Sequence, residues 1–158
     1  MKKLIVSIIL LVGIGMVVAP STDADFSVTV SNRPVLYGAM ATSTSKSTID
    51  LNNTQTATNN GTENENFNIK GQYSAPGGWI LAGTVGEGQY VHKFCNDTDN
   101  DCVTPPTNYT ALTTEYAPLD TNIAVDGSVD FQLQITTPAV STSTVEQHVD
   151  VTIQAVAP

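Results

Sequence analysis

Ser128-Val129-Asp130-Phe131-Gln132-Leu133-Gln134-Ile135-Thr136 alternates polar and apolar without a fault over nine residues. Side chains on an extended chain point to opposite faces in turn, so this segment places Val129, Phe131, Leu133 and Ile135 on one side and hydrophilic groups on the other. A helix would scatter the same four side chains around its axis. Val149-Asp150-Val151-Thr152-Ile153-Gln154-Ala155 repeats the pattern near the C-terminus. Two such segments imply an antiparallel sheet with one face in a core and one in water. The small, polar stretch from Thr137-Pro138 to Thr144 reads as the hairpin loop joining them.

Weaker strand signals fill the rest of the chain. Phe26-Ser27-Val28-Thr29-Val30 alternates, then Asn32-Arg33-Pro34 interrupts it. Val35–Ala41, Thr48–Leu51, Asn66–Lys70 (with Phe67 and Ile69 inward), Gly78–Ala82, Gln89–Phe94 and Tyr109–Tyr116 are further candidates. Turn signals separate them at Asn59-Asn60-Gly61, Pro76-Gly77-Gly78, Gly86-Glu87-Gly88, Pro105-Pro106 and Asp126-Gly127. No window carries helical periodicity with caps. About seven to nine short strands with regular turns predict an all-β, antiparallel β-sandwich of immunoglobulin-like size, with a barrel as the alternative. Thr42–Ser47, rich in hydroxyls, and Asn52–Glu65, whose one apolar side chain is Ala57, read as solvated loops.

The N-terminus has a different character. Lys2 and Lys3 precede an uncharged apolar run from Leu4 to Ala19, followed by Pro20-Ser21-Thr22-Asp23-Ala24. Basic, apolar and small-residue regions in that order predict a helical secretory signal peptide over residues 1–24, cut after Ala24. The apolar run is shorter than the roughly 20 residues of a membrane span, so no permanent span is expected after cleavage. The remaining chain divides into an N-terminal strand arm and linker, 25–47, and a sandwich body, 48–158; the arm can also belong to the same domain. Removing Lys2, Lys3 and Asp23 leaves four basic and 14 acidic residues, a net charge of −10. Such an acidic chain repels phosphates, which excludes nucleic acid and the anionic face of a membrane as natural partners.

The chemistry-bearing residues are few. Cys95 and Cys102 are the only two cysteines, and an even pair on an exported chain predicts a disulfide stapling the polar loop between them. That loop carries Asp97, Asp99 and Asp101 at alternate positions, a spacing that can converge on Ca²⁺ or can remain a solvated acidic tip. It resembles the start of an EF-hand or type-3 thrombospondin calcium loop, but Cys102 stands where the sharp-turn glycine belongs and Asn108 where the bidentate Glu belongs. Sequons at Asn52, Asn60, Asn96 and Asn108 are candidates for glycosylation on loops. His92 and His148 read as surface residues of strands and Trp79 as a core anchor. With no nucleophile elbow, zinc-helix, phosphate-loop or dinucleotide motif, no enzymatic activity and no organic cofactor are expected.

Ser47-Thr48-Ile49-Asp50-Leu51, then Thr58-Asn59-Asn60-Gly61-Thr62 and Asn66-Phe67-Asn68-Ile69, resemble the early strands of secreted immunoglobulin-like modules. Camelysin- and TasA-like biofilm fibre subunits and archaeal bundling pili begin similarly after a signal peptide. The resemblance covers about a third of the chain. It implies an extracellular or cell-surface structural subunit of a filament, coat or matrix, whose partners are further copies of itself or matrix components. The self-association residues would be Phe26, Val28, Val30, Val35, Leu36, Tyr37 and Met40, donated as an arm to a neighbour, unless the arm folds into its own sheet. The alternative is an extracellular adhesin or carbohydrate-binding sandwich.

Overall fold

The computed structural model describes residues 24–103 and 108–158. The expected signal peptide, apart from Ala24, and the Pro105-Pro106 turn lie outside the described residues. Ten strands follow in chain order: β1 Val28–Val30, β2 Ser45–Ser47, β3 Gln55–Asn59, β4 Glu65–Gly71, β5 Ile80–Leu81, β6 Gln89–Asn96, β7 Thr110–Ala111, β8 Ala117–Ile123, β9 Ser128–Thr136 and β10 Val151–Val156. They form two sheets. The larger runs β1-β3-β9-β6-β5, with β2 added to β9 and β7 to β6; the smaller runs β10-β4-β8. All pairings are antiparallel except β5 with β6. The chain is a β-sandwich.

The core is the set of side chains that alternation aims between the sheets. Val129, Phe131, Leu133 and Ile135 of β9 are all buried, and Phe67 and Ile69 of β4 face them with no exposed surface. Leu119 and Ile123 of β8 join them, with Ile153 and Ala155 of β10 packed at the margin. Gly71 at the end of β4 makes room for this packing, because a Cβ there would lie 2.7 Å from Leu81 Cδ2.

Several sequence expectations are corrected by the topology. β9 and β10 do not form a hairpin. They belong to opposite sheets, and residues 137–150 cross between them, touching down through the Ala75↔His148 and Glu87↔Val140 bridges. The Asn/Thr-rich segment is not a solvated loop throughout, since β3 lies within it and buries Gln55, Ala57 and Asn59. The hydroxyl-rich linker ends in β2, which pairs with Thr136, Ile135 and Gln134 of β9. Thr48–Leu51 turns out of the sheet rather than continuing it, and Val35–Ala41 contains no strand. For the arm the alternative left open is the one seen: it is part of the same sheet as the body, because β1 pairs with β3 from Val28↔Asn59 to Val30↔Ala57.

Asn59 explains how the chain changes sheets at these corners. Its buried side chain donates to Glu63 O (2.9 Å) and Ile123 O (3.0 Å) and accepts from the Gly61 amide (2.8 Å). The main chain adds Asn59 N–H to Gly127 O (2.9 Å) and Asp126 N–H to Asn59 O (3.1 Å). One side chain thus satisfies the polar groups of both the β3–β4 and β8–β9 turns, which would otherwise be stranded in the interior.

Truncating the core at its centre should weaken this fold sharply. Phe67→Ala is expected to lower the unfolding free energy by about 3–5 kcal/mol. Tyr73→Ala, at a position 60% exposed, should change it by no more than about 0.5 kcal/mol. Urea denaturation of the two variants measures the contrast.

Candidate functional site

Among the described residues, three regions bring polar or reactive groups together: the disulfide loop, the buried histidine and the N-terminal arm. The disulfide forms between Cys95 and Cys102, as their number suggested. Cys95 lies near the end of β6, so the bridge ties the following loop back to a central strand. The loop also folds inward. Asp97 N–H donates to Asp130 O at 2.7 Å, and the Asp97 carboxylate accepts from the Cys102 amide (3.1 Å) and from Gln132 Nε2 (2.6 Å). Gln132 Nε2 also donates to Thr54 Oγ1 (2.9 Å), while its Oε1 accepts from Thr48 Oγ1 (2.5 Å). Gln132, Gln134 and Thr48 are buried.

The face of β9 expected in water is therefore covered at its centre. The covering is a polar layer from the Thr48–Thr54 turn and the disulfide loop, held by paired donors and acceptors. Beside it is a hollow of about 250 Å³ between Asn52, Thr54, Asp97, Asn100 and Gln132.

This geometry does not gather the three aspartates. Asp97 points inward with both oxygens engaged, whereas Asp99 and Asp101 are exposed. Among the described residues, the potential ligand atoms that approach one another are those of Cys95, Asp101 and Cys102. Two of those are disulfide sulfurs, which are not the thiolates that bind metals. The acidic tip is a hydrogen-bonded brace rather than a preformed calcium cage.

Of the sequon asparagines, Asn52 and Asn60 are exposed. The Asn96 amide is occupied by Leu119 O (3.2 Å) and the Asn108 amide by Asp101 O (2.9 Å).

His92 is not a surface residue. It sits on β6 opposite Ile135 of β9, is 2% exposed, and contacts Tyr37 edge-on. Tyr37 Oη lies 3.5 Å from His92 Nε2, and Nδ1 has no partner among the described residues. Burial pushes the imidazole down to about 4, so it is neutral at ordinary pH. Simple alternation on β6 places Tyr90, His92 and Phe94 on one face, which was the available signal for a buried position. His148 is exposed. Trp79 is half-buried at the core margin against Tyr90, with Nε1 donating to Ser141 Oγ at 3.2 Å.

The arm is fastened along its length. Ser31 N–H donates to Thr56 O (2.9 Å), Asn60 N–H to Ser27 O (2.7 Å) and Thr62 N–H to Asp25 O (3.0 Å). Val28, Val30, Tyr37 and Met40 pack on the core margin, and Val35 is half-buried. Phe26 and Leu36 remain 37% and 75% exposed. Ser27 N–H donates to Glu65 Oε1 at 2.5 Å, a fully buried carboxylate that sequence reading did not single out. Its position in the alternating run Glu65, Phe67, Ile69 was the signal for it.

No protein-family model matches the chain, and neither curated proteins nor solved structures give a significant match. Among the described residues no helix is long and apolar enough to cross a membrane. The disulfide is consistent with an extracellular or other oxidising environment.

The loop and the histidine each carry predictions. Replacing both cysteines with serine should lower stability by about 2–3 kcal/mol through loop-closure entropy. Asp97→Ala, which strands the Gln132 and Cys102 donors, should cost about 1–3 kcal/mol, against about 0.5 or less for Asp99→Ala. Millimolar Ca²⁺ should leave the melting temperature unchanged, as calorimetry would show.

For His92, the unfolded imidazole takes a proton near 6.5 while the folded one resists until about 4. Its effect is constant above that window, and stability is lost as pH falls through it, by about 3 kcal/mol at roughly 1.4 per unit. The stability difference between wild type and His92→Phe, followed by urea midpoints from pH 7 to 4, should shift by that amount against the wild type.

Proposed function

We propose that this chain is a secreted structural subunit of a cell-surface filament, coat or extracellular matrix, and that its copies join by exchanging the N-terminal arm. The observation that carries the reading is the place of β1. It is the edge strand of the larger sheet, it supplies Val28 and Val30 to the core margin, and it lies against β10 of the other sheet. The arm thus completes one edge of the sandwich, and as an edge strand it has a single neighbour in its sheet, β3.

Magnitudes favour exchange over simple sticking. Residues 31–44, a count of 14, join β1 to β2 without a strand, and fully extended they reach about 45–50 Å. That is long enough for β1 to lie on the next copy. An arm docked on a neighbour's β3 makes the same contacts as one docked on its own, so the contact energies nearly cancel. Protein concentration and hinge strain then decide which form dominates. Docking the whole arm also requires Val35, Tyr37 and Met40 to release their own core, so exchange should be slow and long-lived. The acidic charge of the exported chain keeps unassembled copies apart.

The alternative, an adhesin or carbohydrate-binding sandwich, draws on the 60% exposed ring of Tyr73, a surface on which a sugar can stack. Dispersed monomers with glycan affinity would favour it.

Deleting Asp25–Ser31 tests the main reading. The expected product is a folded monomer that does not assemble and regains its missing edge from a synthetic peptide of the deleted sequence. Sedimentation and negative-stain microscopy report the outcome. Undisturbed polymerisation, or loss of the fold that the peptide does not restore, would refute arm exchange.

A further inference from the structure

Glu65 has no exposed surface, yet among the described residues its Oε2 has no hydrogen-bond partner. Among the described residues its Oε1 accepts from the Ser27 amide alone, at 2.5 Å. A carboxylate buried with half its acceptor capacity unused is a costly arrangement, and it calls for a cation or a further donor. The surroundings say where that partner could come from. A Cβ at Gly61 would collide with both the Asp25 carbonyl oxygen and Glu65 Oε1, so the first residue of the arm and the buried carboxylate lie side by side across this glycine. The Asp25 nitrogen, two bonds from that carbonyl carbon, donates to Thr62 Oγ1 at 3.1 Å, and Ala24 and Asp25 are both exposed.

We propose that cleavage between Ala24 and Asp25 creates the missing partner, an α-ammonium that docks on Glu65 and locks the arm in place. Hydrolysis adds one water across the Ala24–Asp25 peptide bond. The leader departs with a carboxylate on Ala24, and the Asp25 nitrogen, now an amine, takes up a proton from solvent. An amide nitrogen has one N–H, already used by Thr62; an ammonium has three, with a full charge. Gly61, with no Cβ, lets the Asp25 main chain and the Glu65 carboxylate lie this close, and the Ser27 amide holds the carboxylate in register. Processing therefore does more than release a leader: it completes a charge pair that only the processed chain can form. The inference rests on the export part of the proposed function and is independent of polymerisation. In an exchanged assembly, the same pair would form between copies.

The test compares three forms of the protein at about pH 6.5, where an α-ammonium is protonated. They are the 25–158 chain with a free N-terminus, the same chain acetylated on that amine, and the full 1–158 chain. The free-amine form should melt higher than the other two, by roughly 3–6 °C, and Glu65→Gln should abolish the difference. An amine-reactive reagent should label the Asp25 nitrogen roughly tenfold more slowly in the wild type than in Glu65→Gln, equivalent to one unit of pKa. The acetylation comparison needs no substitution, so it stands even where Glu65→Gln folds poorly. The two failures are distinguishable. An exported protein that begins at another residue overturns the processing step. A 25–158 chain that melts alike with and without acetylation overturns the charge pair, leaving Glu65 served by the Ser27 amide alone.

Discussion

β9 is hydrogen-bonded along both edges and covered at its centre on both faces, and the rest of the architecture answers to that constraint. One edge is taken by β6, from Val91↔Thr136 to Asn96↔Phe131, and the other by β3 and β2 in succession. Its apolar face meets the smaller sheet. Its other face carries Gln132, which cannot be buried without partners for its amide. The Thr48–Thr54 turn explains why one edge needs two strands: it leaves the sheet between β2 and β3 and returns over Gln132, delivering Thr48 and Thr54 as partners. A continuous strand there would complete the ladder and leave the amide unserved.

The disulfide acquires its meaning from the same layer. A staple across six residues contributes modestly by itself, but here it holds Asp97 against Gln132 and the Asp130 carbonyl. The carboxylate spends its acceptor capacity on protein donors. This is the physical reason that an alternating Asp pattern, so suggestive of a cation loop, becomes a brace. The acidic tip is divided by direction: Asp97 points inward with its oxygens taken by the Cys102 and Gln132 donors, Asp99 and Asp101 outward into water.

How much of this was legible in the sequence depends on which side chains fill the interior. Ser128–Thr136 was readable to its ends, and Phe67 and Ile69 were readable as inward, because apolar alternation reports burial directly. β3 was hidden because its inward set is Gln55, Ala57 and Asn59, two of them amides whose burial depends on distant partners such as Asn32 O and Ile123 O. β8 was hidden for a related reason. Pro118, Asp120 and Asn122 alternate with Leu119 and Ile123, and this register is broken by shifts against β4. The crossover from β9 to β10 was mistaken for a hairpin because a small polar connection looks alike whether the chain turns back within a sheet or passes between two. His92 was misplaced by its polarity, although β6 alternation already set it between Tyr90 and Phe94. Local pattern reports which way a side chain points; it does not report what waits there.

The arm is where these considerations meet function. An edge strand with unpaired backbone groups invites association, and proteins commonly protect such edges. Here β1 protects the edge of β3, and its own hold combines three kinds of interaction: ladder hydrogen bonds to β3, apolar contact from Val28 and Val30, and the part-buried Ser27–Glu65 hydrogen bond. The first two would serve any alternating strand and so confer little selectivity. The third does not, because it requires a main-chain amide placed over a buried carboxylate beside a residue with no Cβ. A competing strand slipped by one residue would present the opposite set of side chains to the core. Slipped by two, it would restore the apolar pattern but set different residues beside Glu65, and with them a different distance from the chain's end. Apolar contact therefore supplies much of the affinity of the arm, while the polar anchor at Glu65 supplies its register.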